Sequence, residues 1–222
     1  MEKHIVKVLW TRMVTHNVKQ FDIEKPAGYH FTPGQATDVS INKPGLEEEL
    51  RPFTFTALND WDHLQFTIKL YTDHDGVTNK LQNVHEGDEL IIHDVWGAIN
   101  YKGPGLFIAG GAGVTPFIAI LRQLYKDGKL DGCTLLFANK AEADIILYEE
   151  FEDMLGDRFV NILDKTDNAK HLQGHIDKAL LAKYATDDVP YYYVCGPDKF
   201  TEAMVKYLEE LGKTKEQIII EE

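Results

Sequence analysis

Cysteine is scarce: Cys133 and Cys195 are the two in a chain of 222 residues. Two thiols cannot build a disulfide framework, and they are too few for a four-cysteine iron–sulfur cluster or zinc site. The nine histidines are scattered without the paired spacing of metal ligands, so no metal role is expected. Long apolar runs are also missing. None approaches the roughly 20 residues needed to cross a bilayer, and Met1-Glu2-Lys3-His4 leads into an alternating pattern, not an apolar signal core. The expectation is a cytoplasmic protein without membrane insertion. Positive charge is in short supply too, with 23 basic against 36 acidic residues and a net charge of −13. Nucleic acid and anionic membranes both need a basic footprint, so neither is expected as a partner. The acidic run Glu47-Glu48-Glu49, beside Pro44-Gly45, reads as a solvated loop.

What is present is the composition of an ordinary globular chain, 44% hydrophobic and 27% charged. From Ile5 to about Tyr101 the pattern is one of short alternating runs: His4–Val8, Ala36–Ile41, Leu64–Leu70 and Glu89–His93. Breakers fall between them at Pro33-Gly34, Pro44-Gly45, Asn59-Asp60 and Glu86-Gly87-Asp88. Strands of this length at such spacing predict an antiparallel barrel or sandwich, with one short helix over Val77–Asn83. The pattern changes after Lys102-Gly103-Pro104-Gly105. Leu106–Ala109 is a continuous apolar run, as a parallel strand buried on both faces requires. A helix follows, with Thr115 placed to cap it, Pro116 at its first position, and Phe117, Ile120, Leu121 and Leu124 at helical spacing. Strands at Thr134–Ala138, Phe159–Leu163, Tyr191–Cys195 and Gln217–Ile220 alternate with helices near Glu149–Leu155, Ile176–Tyr184 and Lys199–Leu211. That alternation predicts a parallel sheet covered on both faces. Two domains are therefore expected: an N-terminal antiparallel β-barrel over residues 1–102 and a C-terminal α/β parallel sheet over 103–222.

Three motifs carry the chemistry. Arg51-Pro52-Phe53-Thr54 lies in a barrel strand, whose alternation sets Arg51 and Phe53 on one face and Thr54 on the other. Gly111-x-Gly113-x-x-Pro116 follows a buried strand and opens a helix. Glycines there admit a pyrophosphate to the backbone, and free amides with the helix dipole bind its charge. Cys195-Gly196-Pro197 ends a predicted parallel strand, at the edge where ligands collect.

In this order the motifs resemble the ferredoxin–NADP reductase superfamily, and the resemblance spans essentially the whole chain. It implies FAD on the barrel and a nicotinamide dinucleotide on the α/β domain. Arg51 would then pair with the flavin pyrophosphate, Phe53 would pack on the ring in place of the family's usual tyrosine, and Thr54 would hydrogen-bond near N5. Phe31-Thr32-Pro33-Gly34-Gln35 is similar to the family's turn beside the flavin groove. Gly76, Val77 and Thr78 resemble its Gly-x-x-Ser/Thr phosphate segment, and Leu70 and Tyr71 fall where backbone runs along the flavin. Asp94-Val95-Trp96-Gly97 departs from the family's usual Gly-Pro-x-Gly turn. Gly111, Gly113, Val114, Thr115 and Pro116 would hold the dinucleotide. Gly196 and Pro197 would form the turn that sets Cys195 beside the nicotinamide C4. Asn139 and Lys140 begin a stretch similar to that of NADH-using cytochrome b5 reductases. With Lys140 the one base beside Glu142 and Asp144, NADH is expected over NADPH. No aromatic stands at the C-terminus, where relatives stack one on the flavin, so that face is either open or covered by another side chain.

The resemblance implies an FAD-dependent NAD(P)H oxidoreductase. Three readings stay open: a reductase serving a separate ferredoxin, flavodoxin or oxygenase component; a flavin reductase that releases free flavin; and a non-catalytic flavin- or nucleotide-binding subunit. Nothing in the sequence indicates an oligomeric state.

Overall fold

The computed structural model describes residues 2–72, 76–97 and 99–221. Its first half is an antiparallel six-stranded sheet. The strands are β1 (His4–Thr15), β2 (Val18–Glu24), β3 (Ala36–Ile41), β4 (Arg51–Thr54), β5 (His63–Lys69) and β6 (Glu89–Trp96). They run in the order β4-β3-β6-β1-β2-β5, and a bridge between Phe55 and Phe66 brings the two outer strands together to close a barrel. Alternate residues point inward, as the period of two requires, and Val6, Val8, Phe21, Ile23, Val39 and Ile92 share the core. Phe55 stands at its centre, stacked on Phe31 at 4.4 Å and tilted against Phe66 at 5.2 Å. Strand β2 is absent from the alternating runs because Lys19 and Gln20 are polar yet buried. Lys19 Nζ donates to the carbonyls of Gln82 and Val84, at 3.1 and 2.6 Å, and burial pulls its pKa down. The short helix arrives in two pieces, α1 (Val77–Lys80) and a tighter turn, Leu81–Asn83.

The second half is a parallel sheet. Its strands are β7 (Gly105–Gly110), β8 (Thr134–Asn139), β9 (Phe159–Leu163), β10 (Leu172–Gln173), β11 (Tyr191–Cys195) and β12 (Ile218–Ile220). The order is β10-β9-β8-β7-β11-β12. Every residue of β7 is buried, because helices cover both faces. Phe107, Leu135 and Tyr193 pack under α2 (Thr115–Lys126) and α3 (Tyr148–Leu155). Leu106, Ile108, Tyr192 and Val194 pack under α4 (Lys178–Tyr184) and α5 (Asp198–Glu210). Asp177 caps α4, accepting from the Leu180 amide at 2.7 Å.

One expectation is corrected at the start of α2. Thr115 is its first residue and does not cap it; the N-cap is Val114, and the Thr115 hydroxyl donates backward to the Ala112 carbonyl at 3.0 Å. The reason is the tight turn Gly111–Val114, which already has helical curvature and leaves no extended residue to serve as a side-chain cap. Between the two halves, Gly105 already belongs to β7. The Tyr193 hydroxyl accepts from the amides of Lys102 and Gly103 at 2.9 and 3.0 Å and donates to the Gly103 carbonyl at 2.7 Å. Among the described residues no helix is long and apolar enough to cross a membrane.

Candidate active site between the two sheets

The parallel sheet grows in one direction from β7 through β8, β9 and β10, and in the other through β11 and β12. The chain order therefore reverses between β7 and β11, and ligands of open α/β sheets bind outside the carboxyl ends of strands at such a point. Here those ends are Gly110-Gly111 and Cys195-Gly196. Gly111 has φ +54 and open space where a Cβ would stand, a left-handed residue with its surface free for a ligand. Gly113 is a glycine for a different reason. A Cβ on it would collide with the Cys195 carbonyl and the Gly196 amide, so the loops after β7 and β11 touch only because it has none.

A cleft of about 650 Å³ runs from these loops to the barrel. On the barrel side it is lined by Pro52, Phe53 and Thr54 of β4 and by Thr67, Lys69 and Tyr71. Strict alternation set Phe53 and Thr54 on opposite faces, yet both line the cleft: Thr54 is buried, while half-buried Phe53 also packs against the barrel core, 6.3 Å from Phe66. On the sheet side the lining includes Gly111, Gly113, Thr115, Pro116, Asn139, Lys140, Cys195, Gly196 and Pro197. The sequence motifs from the two halves thus meet in one cavity.

Other expected residues are placed elsewhere. Arg51 is exposed, does not line the cleft, and donates from Nη1 to the Leu50 carbonyl at 2.7 Å. Gly76 and Thr78 are likewise outside the lining, although Lys80 pairs with Glu49 at 3.3 Å and so holds α1 near the start of β4. The side chains of Leu70, Val77 and Val114 are buried in the two cores, leaving their backbones alone to meet a ligand.

Cys195 Sγ lies 3.6 Å from Glu221 Oε2. Burial first, and then the Glu221 carboxylate, push the thiol up to about 12, so it stays neutral and protonated at neutral pH. At the far end of the cleft Lys140 is accompanied by Asp144 and Asp164. Asp144 Oδ2 accepts from the Ala141 amide at 3.1 Å, and Asp164 Oδ1 lies 3.1 Å from His175 Nδ1. Glu142 instead turns away, accepting from Asn168 Nδ2 at 3.2 Å and facing His171. Asn139 Nδ2 is buried in the lining with no partner, a donor available to a ligand. Sequence reasoning had passed over Thr67, Lys69, Asp164, His175 and Glu221 as site residues. Lys69 could have been found from parity, since it shares a strand face with Tyr71 while Leu70 points the other way.

Residues 107–206 match the family described as "Oxidoreductase NAD-binding domain". The reductase component of propane 2-monooxygenase from Rhodococcus jostii is 26% identical over 208 residues, covering 87% of this chain and 56% of that one. NADH-cytochrome b5 reductase 1 from Bos taurus is 29% identical over 188 residues, covering 69% and 61%. The chain therefore spans less than two thirds of the length of these relatives. A ferredoxin NADP+ reductase from Neisseria gonorrhoeae, solved with bound FAD and NADP, superposes with a TM-score of 0.83 at 20% identity over 98% of this chain and 97% of that one. Residues 107–206 thus resemble an oxidoreductase NAD-binding domain, and the chain as a whole shares the fold of the ferredoxin NADP+ reductase from Neisseria gonorrhoeae.

Proposed function

We propose that this chain is an FAD-dependent NADH oxidoreductase that passes electrons to a separate redox protein, an oxygenase component being the acceptor class most in keeping with its relatives. In this reading residues 1–102 hold the flavin and 103–222 hold the nicotinamide dinucleotide. The observation that carries it is the convergence of Cys195, Gly111 and Gly113 from the sheet with Phe53, Thr54 and Thr67 from the barrel on one cleft. Two ligands held by different domains can react only where both walls are shared, and positioning is most of what hydride transfer asks of a protein.

The residues present fit such a group. The cleft offers a half-buried aromatic wall at Phe53, hydroxyls at Thr54 and Thr67, and the unpartnered donor Asn139 Nδ2. Flavin, when bound, supplies the hydride chemistry and can release electrons singly or in pairs. The chain's own contribution is orientation. The free surface of Gly111 and the amides opening α2 receive a diphosphate. Thr54 and Phe53 fix a ring against the barrel. Cys195, kept neutral, packs against the reacting carbon without adding charge. Asp144 and Asp164 beside Lys140 favour a ribose hydroxyl over a 2′-phosphate, which supports NADH.

The test is the absorption spectrum of the purified protein before and after anaerobic NADH. A flavin spectrum that bleaches with one equivalent, with FAD released on denaturation, is the expected result. A protein that neither retains nor reduces flavin overturns the reading. The exposed position of Arg51 favours one variation, a flavin that exchanges freely as substrate. A colourless protein that turns over added FAD with NADH would establish it.

A further inference from the structure

Two histidines stand against the carboxylates at the nucleotide end of the cleft, although no sequence spacing pairs them. Strand β10 brings the first one there. It runs parallel to β9 in the register Leu172↔Ile162 and Gln173↔Leu163, so the residues that follow come level with Asp164. The Gly174 amide donates to the Leu163 carbonyl at 2.8 Å, and the chain then turns at a Gly174 φ of +119, a conformation that favours glycine. His175 comes next, lines the cleft, and sets Nδ1 3.1 Å from Asp164 Oδ1. The second histidine comes from the barrel. His16, in the turn between β1 and β2, sets Nε2 3.7 Å from Asp144 Oδ1.

The fixed charges that line this end of the cleft are one cation, Lys140, and two anions, Asp144 and Asp164. Other charged groups of the same loops are engaged elsewhere. Glu142 faces Asn168 and His171, Lys170 lies 3.5 Å from Glu152, and Asp177 caps α4. Lys165 and Asp167, of opposite sign, are exposed outside the lining. With both imidazoles neutral the lining is therefore anionic by one charge. Imidazole is the side chain whose charge ordinarily changes between pH 5 and 8. A proton on His175 brings the end of the cleft to neutrality, and a second on His16 makes it cationic. The neutral hydroxyl of a ribose gains nothing from that change, whereas a 2′-phosphate, with a charge of about −1.5 to −2 near pH 7, gains a cationic partner and loses a repulsion.

We propose that His175 is a specificity-determining residue whose protonation, with His16 as its lesser partner, admits a 2′-phosphate beside Asp164, so that the preference for NADH holds at neutral and alkaline pH and relaxes as pH falls. This rests on the nucleotide reading above. The His175 side chain is 82% exposed, so its ion pair with Asp164 adds little to stability. Its effect is on the sign of the charge that an incoming ribose meets. The 2′-phosphate itself takes up a proton near pH 6, and that titration belongs to the ligand whatever residue stands at position 175. A comparison of variants at each pH separates the two.

The experiment measures the dissociation constants of adenosine 2′,5′-bisphosphate and adenosine 5′-monophosphate by calorimetry on the full chain, from about pH 8 to about pH 5.5 at fixed low ionic strength. Their ratio isolates the 2′-phosphate and needs neither turnover nor flavin. Parent and His175→Asn should show nearly the same preference at the alkaline end. At the acid end the parent should favour the bisphosphate about fivefold more than the variant does, the scale of a unit charge about 5 Å from a phosphate in a water-like dielectric. His175→Lys carries its charge at every pH, so it should favour the bisphosphate at the alkaline end already and meet the parent at the acid end. His16→Asn should remove a smaller share of the acid gain, because His16 stands outside the lining and farther from its carboxylate. Identical profiles for parent and His175→Asn, or a larger loss in His16→Asn, overturn the proposal. A parent that binds neither nucleotide removes the nucleotide reading and this inference with it. A parent that binds both but reduces no flavin removes only the redox reading, and the same profiles still decide the role of His175.

Discussion

Gly111 and Gly113 stand two residues apart in one motif, yet opposite physical demands keep them glycine. Gly111 needs its left-handed φ of +54 and has open space around it. Alanine there pays mainly the backbone cost, about 1–2 kcal/mol. Gly113 has no such φ but presses on the backbone of Cys195 and Gly196, so alanine must push two loops apart, at a cost of about 3 kcal/mol. Denaturant unfolding should therefore rank Gly113→Ala as the more damaging change; the reverse order would show that the contact between the loops relaxes freely. Cys195 yields two further predictions. Removal of its side chain in Cys195→Ala should slow flavin reduction by NADH about 100-fold with little change in NADH affinity, because the loss is one of alignment. Stopped-flow reduction at the parent rate would leave it a packing residue. Its raised pKa also has a stability consequence. The unfolded thiol loses its proton near pH 8.5 while the folded one holds it up to about 12, so its contribution is complete below about pH 8.5 and is lost as pH rises toward 12. Between pH 8 and 11 the Cys195→Ala protein should lose less stability than the parent; parallel curves would contradict the burial of that thiol.

Among the elements, those with a clean period were legible in the sequence. Strands β3, β9 and β11 have the bounds that alternation or an unbroken apolar run indicates, and α2 shows its buried face in Phe117, Ile120, Leu121 and Leu124. Strand β2 and the two-residue β10 were not legible. The first buries Lys19 and Gln20 in contacts that only the closed barrel supplies, and the second is too short to have a period. The nucleotide end of the cleft shows the same division. The turn after β8 exposes its charge pattern in sequence, but which carboxylate faces the cleft depends on where the chain bends. Glu142 turns toward Asn168 and His171, and Asp164, at the carboxyl end of β9, takes the place beside Lys140. Specificity should accordingly move with Asp164. Asp164→Ser should raise kcat/KM for NADPH and leave NADH use nearly unchanged, with the gain shrinking as salt rises, whereas Glu142→Ser should leave the use of both nearly unchanged. A parent enzyme that already prefers NADPH tenfold would overturn the assignment.

At the scale of the whole molecule, a net charge of −13 acts on whatever approaches the cleft. The wall itself is mixed, with Lys69 and Lys140 set against Asp144, Asp164 and Glu221, so the long-range field is that of the acidic body around it. An anionic electron acceptor must cross a repulsive potential that salt screens over a Debye length of about 8–10 Å, and a cationic acceptor is drawn in by the same potential. With NADH saturating, turnover with limiting ferricyanide should therefore rise as ionic strength goes from about 10 to 150 mM, while turnover with a basic haem protein such as cytochrome c should fall over the same range. The two slopes carry opposite signs because the two acceptors carry charges of opposite sign. They also bear on the physiological partner: a strongly acidic ferredoxin would have to dock through a local basic patch against the overall field, and an acceptor with a basic face would not. Equal salt responses for the two acceptors would mean that the local lysines, and not the acidic body, govern the approach to the cleft.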